Sequence, residues 1–345
     1  MGVIFGHTPR SLRVWKKTSE VMLLTQDEGI PLSIQEFANI EFNVTTAGHA
    51  IAEQPDPDSP PNFEVSAGAP FSNNGLDASF DNDECHIFVT VGYTELAIDC
   101  DGTPEPYGPG FESPEGSFFS QFPLGLHWYV YSMRIPVKYT FKYLLGSQYY
   151  GKGWMHAEKN WGESFPDGWI WAQGFDRNSS FVLAGGVPPS PLVPSGFGPE
   201  IYLASVHVGD RLIWRFHPWD PTSTSVQIKA CGDAEDPEPF ATLRFNTVQP
   251  LESREVKIFI KASLKSFSEL NCPTKHGFTP SSDHSYSGVG TIKLYTITEE
   301  CHSWFRCKKE RKLIHSVVIQ EVALEFGGNK RCGYTNKNAQ REAVK

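Results

Sequence analysis

From Thr18 to Met133 the chain carries no lysine or arginine, while the same stretch holds nineteen acids. A region so short of cations has nothing with which to grip phosphates, and the formal net charge of -10 excludes a protein that wraps a nucleic acid. No run of 18 or more apolar residues is present, which excludes a membrane-spanning helix of ordinary length. The opening MGVIFGHTPRSLRVWKK lacks an apolar core long enough for a secretory signal, and Gly6 stands where a myristoylation signal wants Ser or Thr. Neither a Walker loop nor GxGxxG occurs, so nucleotide and dinucleotide sites have no support. The seven cysteines (Cys85, Cys100, Cys231, Cys272, Cys301, Cys307, Cys332) are an odd number without a CxxC pair. That speaks against a zinc ribbon or a regular disulfide framework and leads us to expect reduced, mostly buried thiols. From these absences the chain is expected in the cytoplasm or at the periphery of an intracellular membrane. Two sequons, at Asn43 and Asn178, are then expected to be without consequence.

What is present is β-rich. The chain has 345 residues, 39% of them hydrophobic and 13% aromatic, with 26 Pro and 30 Gly. A single core rarely grows beyond roughly 250 to 300 residues, so two modules are expected. Short segments rich in β-branched and aromatic residues recur between turn formers, among them HIFVTVGYTELAID, LHWYVYSMRIPVKYTFKYLL, EIYLASVHVGDRLIWRF and EVKIFIKASL. Gly209-Asp210 reads as the turn of a hairpin. Ile51 to Gly75 reads as a Pro, Asp and Ser-rich loop. Only SEVMLLTQ and HSWFRCKKERKL offer short helices. The basic run RCKKERK, Arg306 to Lys312, is expected to form a solvated face. The expected fold is mainly β, with a divergent acidic module over 1–121, a second module over 122–345, and the boundary in the loops between Asp101 and Pro123.

One stretch concentrates chemistry. WMHAEKNWGESFPDGWIWAQGF, Trp154 to Phe175, holds four of the nine tryptophans beside one His, two Glu, one Asn and one Gln. If Trp154 to Trp161 is a strand, alternation puts Trp154, His156, Glu158 and Asn160 on one face, with Met155, Ala157, Lys159 and Trp161 on the other. After a turn, Trp169, Trp171, Gln173 and Phe175 share a face of the next strand. Rings as walls with sparse polar points make up a small-molecule site, although the same residues would also serve an aromatic core. His156-Ala157-Glu158 matches the HxE of zinc deaminases without the downstream Pro-Cys-x-x-Cys, so no metal is expected. GESFP lacks the second glycine of a nucleophile elbow.

As a unit, AEKNWGESFPDGWIWAQ, Ala157 to Gln173, closely resembles the EKNWG, FP and WxWxQ signature of tocopherol cyclase and its relatives. FPLGLHW (Phe122 to Trp128), LAGGV, VHVGDRLIWRFHPW, SGVGTIKLY and VALEFGG (Val322 to Gly328) resemble further family segments in order. The resemblance covers roughly Phe122 to Gly328 and fades upstream, where the aromatic FEGWYF-type segment of family members is not found. It implies two lipocalin-like, calycin-type β-barrel or β-sandwich modules packed together, with few helices.

The resemblance further implies a cofactor-independent cyclase or isomerase of secondary metabolism. Such an enzyme closes a chroman, pyran or terpenoid ring on a hydrophobic prenylated, meroterpenoid or polyketide substrate by protonating an alkene. That chemistry wants an acid held protonated in an apolar pocket, aromatic faces beside developing positive charge, and exclusion of water. Glu158 is the expected proton donor or the acid controlling it, with His156 and Asn160 as its catalytic partners. Trp154, Trp161, Trp169, Trp171, Gln173, His127 and Trp128 are the expected substrate contacts, and no cofactor is implied. Two alternatives stay open: a pericyclase on the same fold, which needs no proton donor, and a non-catalytic lipid or isoprenoid carrier. Peripheral contact with a membrane and the oligomeric state are left open by the sequence.

Overall fold

In a computed structural model the chain folds into β-sheets. The described residues are 1–7, 19–26, 33–38, 41–47, 62–68, 74–81, 84–116, 125–143, 146–162, 165–187, 198–209, 212–232, 238–274, 277–303 and 306–332. A three-stranded sheet is formed by β1 (Gly2–His7), β2 (Ser19–Thr25) and β3 (Ser33–Ala38). A seven-stranded antiparallel meander follows: β4 (Glu41–Ala47), β5 (Asn62–Gly68), β6 (Gly75–Phe80), β7 (Cys85–Val91), β8 (Thr94–Cys100), β9 (Leu126–Tyr143) and β10 (Gln148–Gly162).

The larger sheet opens with β11 (Gly168–Phe175), β12 (Ser179–Gly186), β13 (Ile201–Val208) and β14 (Leu212–Phe216). The chain then passes to the far edge, β15 (Ser223–Lys229), and returns through β16 (Phe240–Gln249), β17 (Arg254–Ser263) and β19 (Gly277–Ser303) to β20 (Arg306–Gly328), which pairs with β11. β18 (Ser268–Thr274) pairs with β19 off this path. The sheet curls, because Val206, Trp214 and Phe216 near one edge meet Phe245, Ile258 and Ile292 from the other half in a single buried cluster. The architecture is mainly β, built of antiparallel sheets, as expected. The change from the seven-stranded sheet, hereafter the first sheet, to the larger, second one falls between Gly162 and Gly168, so β9 and β10 belong to the first sheet, downstream of the loops where the sequence suggests a boundary.

Those loops join the sheets. After β8 the chain leaves the first sheet, and Tyr107 is fully buried beneath the second, its carbonyl accepting from Ser205 Oγ at 3.0 Å and standing 3.0 Å from His207 Nε2. The Glu112 carboxylate pairs with Arg215 and His217, and the Pro114 carbonyl meets His217 Nδ1 at 2.9 Å. Complete burial of a side chain as large as Tyr107 contributes on the order of 2 kcal/mol to holding this strap down.

Four local expectations change. SEVMLLTQ is strand β2, because both of its faces are covered: Val21 and Leu23 enter the core of the first sheet, while Met22 and Leu24 pack on Leu270 and Tyr286 of the second. A run buried on both sides shows no alternation, so its period cannot separate strand from helix. HSWFRCKKERKL is likewise not helical: β19 continues to Ser303 and β20 begins at Arg306, with Trp304 and Phe305 outside the described residues. Within the segment read as a loop, Asn62–Gly68 is β5, whose Phe63, Val65 and Ala67 alternate inward. The rest of that segment up to Gly75, over 51–61 and 69–73, lies outside the described residues.

The fourth change concerns the cysteines. Cys85–Cys100 and Cys231–Cys332 are disulfides, with Cα atoms 5.1 and 4.7 Å apart, and Cys272 is a buried free thiol. The first joins the facing ends of β7 and β8, where His86 already pairs with Asp99. Antiparallel register, with no Cys motif, brings those sulfurs together, and such bonds belong to oxidising rather than reducing surroundings. The β13–β14 hairpin forms with Val208 opposite Leu212 and Gly209 at φ 56°, a left-handed backbone that suits glycine; Asp210 lies outside the described residues. Among the described residues no helix is long and apolar enough to cross a membrane.

Candidate active site

The site lies where the outer face of the β9–β10 ribbon meets the outer face of β11, β19 and β20. On β10, alternation sends Met155, Ala157 and Trp161 into the core of the first sheet and His156 and Glu158 away from it. Register shifts between Met155 and Glu158 mark a bulge, in which five steps of β9 (Val130 to Ile135) oppose three steps of β10. Bulges re-aim side chains, and this one brings His156 beside the Met133 carbonyl and Glu158 beside the indoles.

Three nitrogens converge on one oxygen of Glu158. Trp128 Nε1 donates to Oε2 at 3.0 Å, Trp171 Nε1 donates to the same atom at 2.9 Å, and His156 Nε2 stands 3.0 Å from it. Two indoles from different sheets thereby hold one carboxylate, which is 18% exposed. His156 Nδ1 faces the Met133 carbonyl at 3.3 Å. A carbonyl only accepts, so Nδ1 carries a hydrogen. Nε2 faces the oxygen that already accepts from two indoles, and no bond to the described residues engages Glu158 Oε1.

A second carboxylate–imidazole pair, unforeseen in the sequence, stands on β19 and β20. Glu325 accepts from Trp169 Nε1 at 2.5 Å through Oε1 and faces His284 Nδ1 at 2.8 Å through Oε2. His284 is opposite Glu325 in the β19–β20 register, and Trp171 is opposite it in β11–β20. The ring of Trp171 neighbours both pairs, its centroid 6.2 Å from that of His156 and 5.6 Å from that of His284. Tyr286 packs against His284 at 4.6 Å. Its hydroxyl is pushed well above the usual tyrosine range by burial and then by the charges of Glu325 and Glu158. Both carboxylates therefore act on one small region. Gly327 must lack a side chain, because a Cβ there would run into the Trp169 indole.

The other expected site residues divide. Trp169, Trp171 and Gln173 share the face of β11 opposite the Ile170 and Ala172 that enter the core, and the buried amide oxygen of Gln173 has no partner among the described residues. Trp128 joins the cluster. His127 and Trp161 do not: they stack on each other at 5.1 Å on the inner face of the ribbon, where His127 Nδ1 meets Glu115 Oε2 at 2.8 Å. Trp154 is 41% exposed under the Arg134 guanidinium, 4.7 Å from its ring centroid. Asn160 is exposed at the end of the ribbon, opposite Trp128. Glu163 and Ser164 of the GESFP turn lie outside the described residues. No group of three or more metal-ligating side chains occurs among the described residues.

The signal for the missed pair was slight: a lone Glu in the apolar run of VALEFGG and a lone His in SSDHSYSGVG. The two are 41 positions apart, and only strand pairing joins them.

The family profile described as tocopherol cyclase-like matches residues 146–328, just over half of the 345. The matched span includes His156, Glu158, Trp169, Trp171, His284 and Glu325. Among solved structures, CghA is similar with a TM-score of 0.48 at 9% identity, over 91% of this chain and 81% of that one. CghA with Sch210972 gives 0.47 at 9%, over 91% and 80%. Kievitone hydratase from Nectria haematococca gives 0.39 at 10%, over 89% and 83%. No curated protein matches the chain.

Proposed function

The chain belongs to the tocopherol cyclase-like family, and on that premise we propose that it is an intramolecular cyclase closing an oxygen-containing ring on a hydrophobic prenylated, meroterpenoid or polyketide substrate. The observation that carries this reading is the convergence of Trp128, Trp171 and His156 on Oε2 of Glu158. It leaves an oxygen for proton delivery, with aromatic faces beside it.

A proton carried on Oε1 of Glu158 passes to one carbon of a substrate alkene, leaving a carboxylate whose Oε2 is held by Trp128, Trp171 and His156. Positive charge develops on the other carbon and is stabilised by the rings of Trp171 and Trp128 and by the carboxylates. A substrate hydroxyl oxygen then bonds to that carbon and releases its proton. Atoms balance within one molecule, so the product has the mass of the precursor, and no electron is gained or lost. His156 keeps the carboxylate aimed and resupplies its proton, while the unpaired amide oxygen of Gln173 offers an acceptor to the substrate hydroxyl.

The test is incubation of the purified chain with an apolar extract of its source organism in light and in heavy water. Conversion of one component into an isobaric product in light water, carrying one carbon-bound deuterium when made in heavy water, is expected. Isobaric conversion without deuterium would make the chain a pericyclase, and recovery of every component unchanged would make it a carrier.

A further inference from the structure

We infer that His284, held by Glu325, is the base that takes the proton released by the substrate hydroxyl during ring closure. The inference rests on the ring-closing reading above and assigns the half of the reaction that an acid alone leaves open.

The two imidazoles of the site differ in which nitrogen their surroundings occupy. In His156 both nitrogens face acceptors, the Met133 carbonyl and Glu158 Oε2, so that ring has no lone pair to offer. In His284 only Nδ1 is engaged, donating to Glu325 Oε2 at 2.8 Å. Its Nε2 is buried and has no hydrogen-bond partner among the described residues. A carboxylate that fixes Nδ1–H leaves the lone pair on Nε2, the arrangement of a general base. Glu325 is itself fixed through its other oxygen by Trp169 Nε1, so it cannot turn away from the ring. A buried nitrogen without a partner is costly, and a catalytic role is one of the few reasons a fold keeps one.

The placement fits the proton balance. One pair stands on β10 and the other on β19 and β20, and the Trp171 ring neighbours both imidazoles. A substrate over that indole has a proton source at one end and a free lone pair at the other. The O–H bond breaks as the C–O bond forms, its proton going to His284 Nε2. After product release water carries that proton back to the His156–Glu158 pair, and nothing is consumed. Glu325 acts through His284 and is a positioning residue.

Two measurements test this. In a nitrogen NMR spectrum of the chain with isotope-labelled histidine at neutral pH, His284 is expected to show a lone pair on Nε2 and a hydrogen on Nδ1, with Glu325→Gln abolishing that preference. An Nε2–H form, or a ring protonated on both nitrogens, overturns the assignment.

In the conversion assay with the apolar extract, His284→Ala is expected to lower the rate by about 10²- to 10⁴-fold, with part of the loss restored by added imidazole. Glu325→Gln is expected to lower kcat at unchanged KM and to shift the acid limb of the pH–rate profile. Wild-type rates in both variants overturn the base while leaving the ring-closing reading intact. Absence of any isobaric product from the unaltered chain overturns that reading and the base with it.

Discussion

The β9–β10 ribbon carries a carboxylate–imidazole pair on each of its faces, and the two are built to different ends. On the inner face the Glu115 carboxylate spends both oxygens on the chain: Oε2 on His127 and Oε1 on the backbone N–H of Trp128, which donates at 2.7 Å. Its histidine is stacked on Trp161, and Glu115 is 5% exposed. On the outer face Glu158 gathers two indole N–H groups and an imidazole nitrogen on one oxygen, leaving the other unengaged among the described residues. The types of residue are the same. A pair whose acceptors are all taken within the chain is a fastener, and one with an oxygen to spare can do chemistry.

The comparison breaks most visibly under Glu158→Gln and Glu115→Gln. Removing the outer carboxylate should cut the rate of isobaric conversion per folded molecule by about 10²- to 10⁴-fold, with a stability loss of about 1–3 kcal/mol from the two indoles left without a charged acceptor. If the folded variant kept full turnover, the outer pair would be another fastener.

Breaking the Cys85–Cys100 bond by Cys85→Ser and Cys100→Ser tests the inner face from its far side, since both residues pack with Tyr129 and Tyr131. Closing a loop of sequence separation 15 corresponds to about 3 kcal/mol of stability, lost in the double variant. Turnover per folded molecule should hold, and chemical denaturation alongside the conversion assay measures both.

Glu115→Gln should cost about 1–3 kcal/mol, because His127 and the Trp128 amide lose a charged acceptor in a buried place. Its denaturation midpoint should fall while the folded fraction keeps its rate.

The smallest effect belongs to Lys159, on the same inner face, whose amine burial pulls down to about 8 from an ordinary 10.5. The unfolded chain binds that proton more tightly, so stability should rise with pH from about 8 toward 10. Above 10 the buried hydroxyls of Tyr129 and Tyr131, both pushed up by burial, reverse the slope, because the folded chain then keeps protons that the unfolded chain loses. Lys159→Met should remove the rise and lift the melting temperature at neutral pH. A thermal melt series across pH checks both.

Much of the outer pair was legible in the order of residues. The alternation of Trp154 to Trp161 separates His156 and Glu158 from Met155 and Ala157, and the structure keeps that separation. The same alternation puts Trp161 on the other face, so its inclusion with the pocket followed from the density of rings and not from geometry. Trp154, in the middle of the ribbon, and Asn160, near its end, share the face of Glu158 but lie exposed. Whether a face is covered depends on a neighbour that local spacing cannot see.

By itself the sequence determined the β character, the strand that bears Glu158 and the family to which its dense stretch belongs, since period and motif are local properties of the chain. Only the tertiary structure decided that Trp128 and Trp171 meet on one carboxylate oxygen, that Cys85 and Cys231 find their partners, and that His284 stands on Glu325 within reach of Trp171. Each of those contacts joins residues from different strands, and strand register and the packing of one sheet on another bring them together. That is why a second acid–base pair, invisible in the order of residues, lies beside an indole that the sequence had already singled out.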